Sequence, residues 1–210
     1  MKTKIGRMSA PRQRWRQHAD QTGKSGPTVV PSSTRGTARM TSTPDQHRQQ
    51  AAERGPIRCA VLSVSDTRTE KTDRGGPLVV EKLTEAGHTI ELTDIVKDDV
   101  QAIQESLDRI RDLAKAQVVI LTGGTGVSDR DVTPEAVNEL LDKRLEGFGE
   151  LFRQLSFAEI GSAALLSRAL AGVMGGVVIF VLPGSPAAVH LAMEKLILPE
   201  LRHIVDQANR

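Results

Sequence analysis

A chain of 210 residues with a formal net charge of +2, 2% aromatic residues and one cysteine excludes several classes at once. Cys59 alone cannot form an internal disulfide or a cysteine-only zinc site, and such usage suits a reducing compartment. No apolar run approaches the roughly 20 residues of a spanning helix, and the N-terminus lacks the apolar segment of a secretory signal, so a cytoplasmic protein away from any membrane is expected.

Residues 1–56 carry Lys2, Lys4, Arg7, Arg12, Arg14, Arg16, Lys24, Arg35, Arg39, Arg48 and Arg54 against Asp20, Asp45 and Glu53, whereas the remainder is acidic overall. The segment is rich in Ser, Thr, Gln, Gly and Pro, and neither helical nor strand periodicity runs through it. Such a composition buries too little apolar surface to offset its ordering entropy, so a disordered extension is expected. A basic tail can bind nucleic acid, but Trp15 is its single aromatic and offers no stacking platform, so a solvated leader is the expected reading. Gly23-Lys24-Ser25 echoes a phosphate-binding loop, yet His18 stands where that motif needs its first glycine and no strand precedes it. Met40 would make a normal start for the domain, and the natural start is expected there.

From residue 57 onward the pattern is that of one folded domain, 57–210. Ile57–Val64 reads as a buried strand. Gly75–Ala86 reads as a helix closed by Gly87. Thr89–Val96 is a second strand. Asp99–Lys115 is a helix with Val100, Ile103, Leu107, Ile110 and Ala114 on one stripe. Gln117–Leu121 is a third strand, and helices are expected near Pro134–Leu141, Phe148–Ile160 and Leu165–Ala171. Val177–Leu182 is another buried strand, and a last helix runs from Pro186 to about Asp206. Alternating apolar strands and helices predict an α/β fold: a single three-layer domain with a mostly parallel sheet and helices on both faces. Ligands on such sheets bind beyond the carboxyl ends of the strands, where the loops after Val64, Leu121 and Leu182 fall.

Thr122-Gly123-Gly124-Thr125-Gly126 directly follows a strand. Glycines permit positive φ and close approach to the backbone, and successive N–H groups can cradle phosphate. The bland alternative is a tight turn, and Ser128-Asp-Arg-Asp-Val-Thr-Pro-Glu135 tips the balance. Thr133, Pro134 and Glu135 read as helix-start grammar, with Thr133 as N-cap. Asp131 has no part in that grammar and is a carboxylate near a phosphate loop, where Mg²⁺ can bind. Asp98 reads as an N-cap with Gln101, yet it also falls at the ligand edge, and the two roles are compatible. Ser63, Ser65, Asp66 and Arg68 end the first strand, and Asp73 and Gly75 open the next helix, as ligand contacts or turn satisfaction. Pro183-Gly184-Ser185 sets a hydroxyl before a helix N-terminus, which attracts anions or is simply capped. His88, His190 and His203 lack metal-ligand spacing and read as surface or packing residues.

Together these motifs resemble the MoaB/Mog family of molybdenum cofactor biosynthesis proteins. The residues that carry the likeness are Ser63-Val-Ser-Asp66, Asp73-Arg-Gly75, Asp98, Thr122–Gly126, Asp131-Val-Thr-Pro-Glu135, Gly147-Phe-Gly149 and Pro183-Gly-Ser185. Glu146–Phe157, Glu159-Ile-Gly161 and Ser167-Arg168 look closest to the MoaB branch, whereas Asp131-Val-Thr-Pro looks as much like Mog. The likeness spans about residues 57 to 205.

The resemblance implies binding of molybdopterin and, in catalytic members, its adenylylation by ATP with Mg²⁺, releasing pyrophosphate before a downstream enzyme inserts molybdate. It assigns the two functional aspartates to Asp98 and Asp131, as catalytic groups and metal ligands. Ser63, Ser65, Asp66, Asp73, Gly75, the Thr122–Gly126 loop, Thr133, Glu135 and Pro183–Ser185 would contact molybdopterin and nucleotide. It also implies a homotrimer or homohexamer, for which Phe148, Phe152, Phe157 and Ala163–Leu166 suit a subunit interface or, equally, a core. A non-catalytic molybdopterin carrier of the same fold is the alternative. A relative acting in another pathway, such as the related domain of competence-damage proteins, is a third reading, and it is less expected because no second catalytic domain is expected beside this one.

Overall fold

The computed structural model describes residues 55–113 and 115–210. The expectations for the basic extension, the Gly23-Lys24-Ser25 echo and the Met40 start lie outside the described residues, apart from Gly55 and Pro56.

The sheet has six strands in the order β2-β1-β3-β6-β5-β4. Its parallel half comprises β1 (Arg58–Val64), β2 (Thr89–Val96), β3 (Val118–Thr122) and β6 (Val177–Leu182). In β1, β3 and β6 nearly every side chain is buried on both faces, as a sheet covered by helices on either side requires. β2 forms the edge and is correspondingly half exposed. The helices are α1 (Gly75–Glu85), α2 (Val100–Leu113), α3 (Thr133–Asn138), α4 (Glu146–Ile160), α5 (Pro186–Ala192) and α6 (Leu198–Ala208).

Two hydrophobic layers sandwich the sheet. Cys59, Val61, Ile120, Phe180 and Leu182 pack against α1, α4, α5 and α6 through Val79, Leu83, Phe152, Val189 and Leu201. Leu62, Val64, Leu121, Ile179 and Val181 pack on the other face against Ile103, Leu107, Ile110, Ala136 and Val137 of α2 and α3. Alternation along each strand sends neighbours to opposite layers. Burial pushes the Cys59 thiol up to about 12, so it packs as an apolar group. His88 is buried and accepts the Ile57 amide through Nδ1 at 3.4 Å, which suits its lowered pKa under desolvation. That is the packing role expected of it.

The helix expected over Leu165–Ala171 is absent. A 3₁₀ turn, Gly161–Leu166, leads into β5 (Leu170–Met174), which pairs antiparallel with β6. Gly175 and Gly176, with φ of 55° and 84°, join Met174 to Val177 as a two-residue hairpin loop. That turn matches the twist of its strands. The helical propensity of Leu170 and Ala171 yields to ladder pairing. The two-residue strand β4 (Lys143–Arg144) adds a second antiparallel pair to β5.

The last helical stretch is also interrupted. Met193–Ile197 winds as a π-turn between α5 and α6, and Pro199 sits in the first turn of α6. Proline cannot donate into the preceding turn, and the wider turn absorbs the break. Phe148 and Phe152 belong to the interior: Phe148 meets Phe180 edge-on with centroids 5.2 Å apart, and Phe152 is fully buried. By contrast Leu151, Phe157 and Ile160 of α4 and Leu165 and Leu166 of the 3₁₀ turn are exposed apolar residues. Among the described residues no helix is long and apolar enough to cross a membrane.

Candidate functional site

Because β1, β2, β3 and β6 run parallel, their carboxyl ends meet at one edge. The Val64–Arg68 turn, Lys97–Asp99, the Thr122–Gly126 loop and Pro183–Ser185 all emerge there, with the start of α1 beside them. The sequence-predicted residues are therefore brought together. Their side chains divide sharply between bracing the edge and facing outward.

The bracing set is tied down by hydrogen bonds. Asp73 is buried; its Oδ1 accepts the Gly75 amide at 3.0 Å and its Oδ2 accepts the Gly76 amide at 3.2 Å, so it caps α1. Ser63 Oγ donates to the same Oδ2 at 2.5 Å, and Arg68 pairs with Oδ1 at 3.5 Å. Arg68 also donates to the Gly184 carbonyl at 3.3 Å, linking the first and last loops. Ser65 Oγ accepts the amides of Thr67 and Arg68. Thr122 Oγ1 donates to the Pro183 carbonyl at 3.2 Å. Ser185 is the N-cap of α5, its Oγ accepting the Ala188 amide at 3.3 Å.

The glycine loop takes the backbone form expected of it: Gly123 and Gly124 have φ of +110° and +59°. At Gly124 space matters as much as dihedral. A Cβ there would stand 2.2 Å from Thr133 Oγ1 and 2.3 Å from Asp98 Oδ1. Both oxygens are buried and without a hydrogen-bonding partner among the described residues. A buried polar atom left unpaired is costly, and where it persists in a native fold it calls for an explanation such as a bound group.

Neither of those two residues plays its predicted capping role. α2 begins at Val100, and it is Asp99 whose Oδ1 accepts the Ala102 amide at 2.9 Å. One residue of register separates the two aspartates, and it releases Asp98 from capping. The N-cap of α3 is Val132, with no side-chain bond, and Thr133 lies inside the helix with Pro134. Its hydroxyl turns toward Gly124 instead of its own helix end.

The carboxylates around the loop are in contrasting states. Burial raises the Asp98 pKa, and the neighbouring charges of Asp66 and Asp131 raise it further. Asp66 holds Asp98 by the backbone, its Oδ1 accepting the Asp98 amide at 3.2 Å. Asp131 is shifted the other way, first by the Ser128 hydroxyl, which donates to Oδ2 at 2.5 Å. The Ser128 amide donates to the same oxygen at 3.0 Å, and the Gly126 amide adds to the effect.

Arg168 was missed as a site residue. It reaches back from the segment before β5, donating to the Thr125 carbonyl at 3.4 Å and to the Asp131 carbonyl at 2.5 Å. It also forms an ion pair with Glu135. Glu135, predicted to contact ligand, is thus engaged with a neighbouring arginine. A signal existed in Ser167-Arg168, but the mistaken helix hid where the arginine would point.

A groove of about 520 Å³ flanks the edge between α1 and β2, with Ser63 and Asp73 at its inner wall. A hollow of about 340 Å³ lies outside the loop, against Ser128, Asp131 and Arg168. Among the described residues no group of three or more His, Cys, Asp or Glu could hold a metal ion. Magnesium does not need one, since it binds through one or two carboxylates together with substrate phosphates and water.

Fold and edge define an open α/β domain of the class that binds ligand beyond its strand ends. Residues 60–203 match the family model described as "Probable molybdopterin binding domain". Molybdenum cofactor biosynthesis protein B of Bacillus cereus is 51% identical over 166 residues, covering 79% of this chain and 97% of that one. A crystal structure of a molybdenum cofactor biosynthesis protein B superimposes with a TM-score of 0.72 at 52% identity, over 74% of this chain and 97% of the other. The tungsten cofactor synthesizing protein MoaB from Pyrococcus furiosus gives 0.69 at 38% identity, over 74% and 98%. The chain belongs to the MoaB/Mog family of molybdenum cofactor biosynthesis proteins.

Proposed function

We propose that this protein binds molybdopterin at the carboxyl edge of its sheet and adenylylates it with Mg²⁺-ATP. The observation that carries the reading is the pair of buried, unpartnered oxygens, Asp98 Oδ1 and Thr133 Oγ1, closing on Gly124 in a positive-φ loop. An acceptor-only carboxylate and a hydroxyl beside an anion-binding backbone suit a cation shared with phosphate oxygens.

In the reaction, an oxygen of the terminal phosphate of molybdopterin attacks the α-phosphorus of ATP. The new P–O bond forms as the bond to the β-phosphate bridging oxygen breaks, and pyrophosphate leaves with that electron pair. Asp98, with Asp131 nearby, would hold Mg²⁺ together with the phosphates, and the ion would supply charge neutralisation. The chain's own part is alignment and electrostatics. The Gly123 amide already donates to the Leu182 carbonyl at 3.1 Å, and the Gly126 amide serves Asp131. Gly124 and Thr125 are therefore the loop positions assigned to phosphate. Ser63, Ser65, Asp73, Gly75, Thr122 and Ser185 act chiefly by holding the edge in shape, with Asp66, Glu135, Pro183 and Gly184 at its rim. The exposed apolar residues Phe157, Ile160, Leu165 and Leu166 are assigned to contacts between subunits of a homotrimer or homohexamer. The product passes to a downstream molybdate-inserting enzyme.

The test is an adenylylation assay with purified protein, molybdopterin, ATP and Mg²⁺, beside Asp98→Asn and Asp131→Ala. Product from the parent, lost in Asp98→Asn and without Mg²⁺, is the expected result. Bound molybdopterin without product from any of them makes this a non-catalytic carrier. The carrier reading draws on Asp131, whose Oδ2 is already engaged by Ser128.

A further inference from the structure

We propose that Arg168 is a positioning residue that sets the geometry of the Asp131 loop from outside it. The loop between β3 and α3 contains Gly126, Val127, Ser128, Asp129 and Arg130, all with at most partial burial. Apolar packing therefore does little to hold it: Val127 is 68% exposed. What restrains it is a set of hydrogen bonds from Ser128 and Gly126 to the Asp131 carboxylate, with the base of the loop closed by the Thr133 amide donating to the Gly124 carbonyl at 3.1 Å. These bonds fix the shape of the turn and close its base on Gly124, but they do not tie it to any element outside the connection from β3 to α3.

The guanidinium of Arg168 supplies that outside reference. It grips both ends of the loop at once: the Thr125 carbonyl before it, and the Asp131 carbonyl and Glu135 carboxylate after it. The planar fork of arginine can serve several acceptors in fixed relation, and a lysine ammonium cannot reproduce that spread. The arm is itself anchored. Ala169 is buried, and its carbonyl lies 2.8 Å from where a Cβ on Gly149 of α4 would stand. Arg153 of the same helix also donates to that carbonyl, at 3.5 Å. Helix α4 thus holds the strand entrance, the strand entrance holds Arg168, and Arg168 holds the loop. Arg168 points its charge at carbonyls and at Glu135, so it acts through Asp131 and not on substrate.

The inference rests on the proposed function for the importance of Asp131 but not for the restraint itself, and two measurements separate them. The first is hydrogen–deuterium exchange on the full chain as parent, Arg168→Gln and Arg168→Lys. Exchange over residues 124–135 should accelerate roughly tenfold in both variants, the scale of a lost charge-assisted hydrogen bond, with the rest of the domain unchanged. The second is titration with Mn²⁺ alone, read by the resonance of the free ion, where affinity should fall several-fold in both variants. Unchanged loop exchange, acceleration spread evenly over the domain, or full recovery of both readouts in Arg168→Lys would each overturn the positioning role. If the parent binds no Mn²⁺, the metal reading of the proposed function fails, and loop exchange alone decides on Arg168.

Discussion

Two carboxylates stand at the same glycine loop under opposite conditions. Asp98 has an oxygen buried against Gly124 with no donor among the described residues, beside the like charges of Asp66 and Asp131. Asp131 is more exposed and accepts from three donors, the Ser128 hydroxyl and amide and the Gly126 amide. Pairing by sequence alone would give them one role, as twin metal ligands. Their surroundings separate them: Asp98 is the group whose buried oxygen finds no donor among the described residues, and Asp131 is the group that builds the loop. Function and stability should therefore respond in opposite senses when each is neutralised.

The sharpest way to break the contrast is at its pivot. Gly124→Ala forces an L side chain to φ +59° and drives its methyl into both orphaned oxygens. A loss of about 2–3 kcal/mol is expected in urea unfolding, with Mg²⁺-ATP affinity by calorimetry falling beyond detection. Asp98→Asn comes next. Mg²⁺-ATP affinity should drop at least tenfold, roughly the value of one charge-assisted contact, while the unfolding midpoint stays level or rises. A fall in stability comparable to the fall in affinity would make Asp98 a structural residue. Asp131→Asn should do the reverse, losing about 1 kcal/mol after allowance for solvent screening, with a smaller change in affinity.

The pH dependence of stability should carry the same signature. Asp98 has a raised pKa in the folded chain, so its contribution is full below the ordinary value of 3.8 and is lost as pH rises through its folded value. Asp131 has a lowered one, so its contribution is present above 3.8 and is lost as pH falls through its folded value. Relative to the parent, Asp98→Asn should gain stability as pH climbs past 3.8, and Asp131→Asn should lose it, the two differences closing in acid. Parallel curves for parent and variants would remove the basis of the contrast. The smallest effect is expected from Ser128→Ala, which strips one donor from Asp131 and should cost under about 1 kcal/mol. Its readout is a rise in the Asp131 pKa by carbon-13 NMR.

The parallel half of the fold was legible because β1, β3 and β6 are buried on both faces and read as largely apolar runs, with the half-exposed edge strand β2 between clear helices. Thr89–Val96 and Val177–Leu182 come out at their expected bounds. The antiparallel half was not, because β5 is written in residues that favour helix and is held by its partner strand, which lies later in the chain. Gly175-Gly176 between apolar flanks was the available hairpin signal. At the site, position was readable and role was not. Asp98 and Asp99 are adjacent, and capping by one or the other turns on a single residue of helix register that periodicity does not resolve. Thr133 and Pro134 look like a cap and first turn, yet the helix starts one residue earlier. Arg168 acts across 43 residues on Thr125, a separation that local pattern cannot span.

The one cysteine of the chain lies in β1, beside the edge strand β2, with no accessible surface and a thiol that stays protonated through the neutral range. For the experimenter this makes the native protein silent toward maleimides and spin labels without any prior removal of cysteines. A reporter introduced at Leu165, which is 82% exposed, would be the sole label and would sense whatever covers the 3₁₀ turn. One placed at Ser128 would follow the loop as ligand arrives. The interior thiol, inert in chemistry, leaves the whole surface open to single-site spectroscopy.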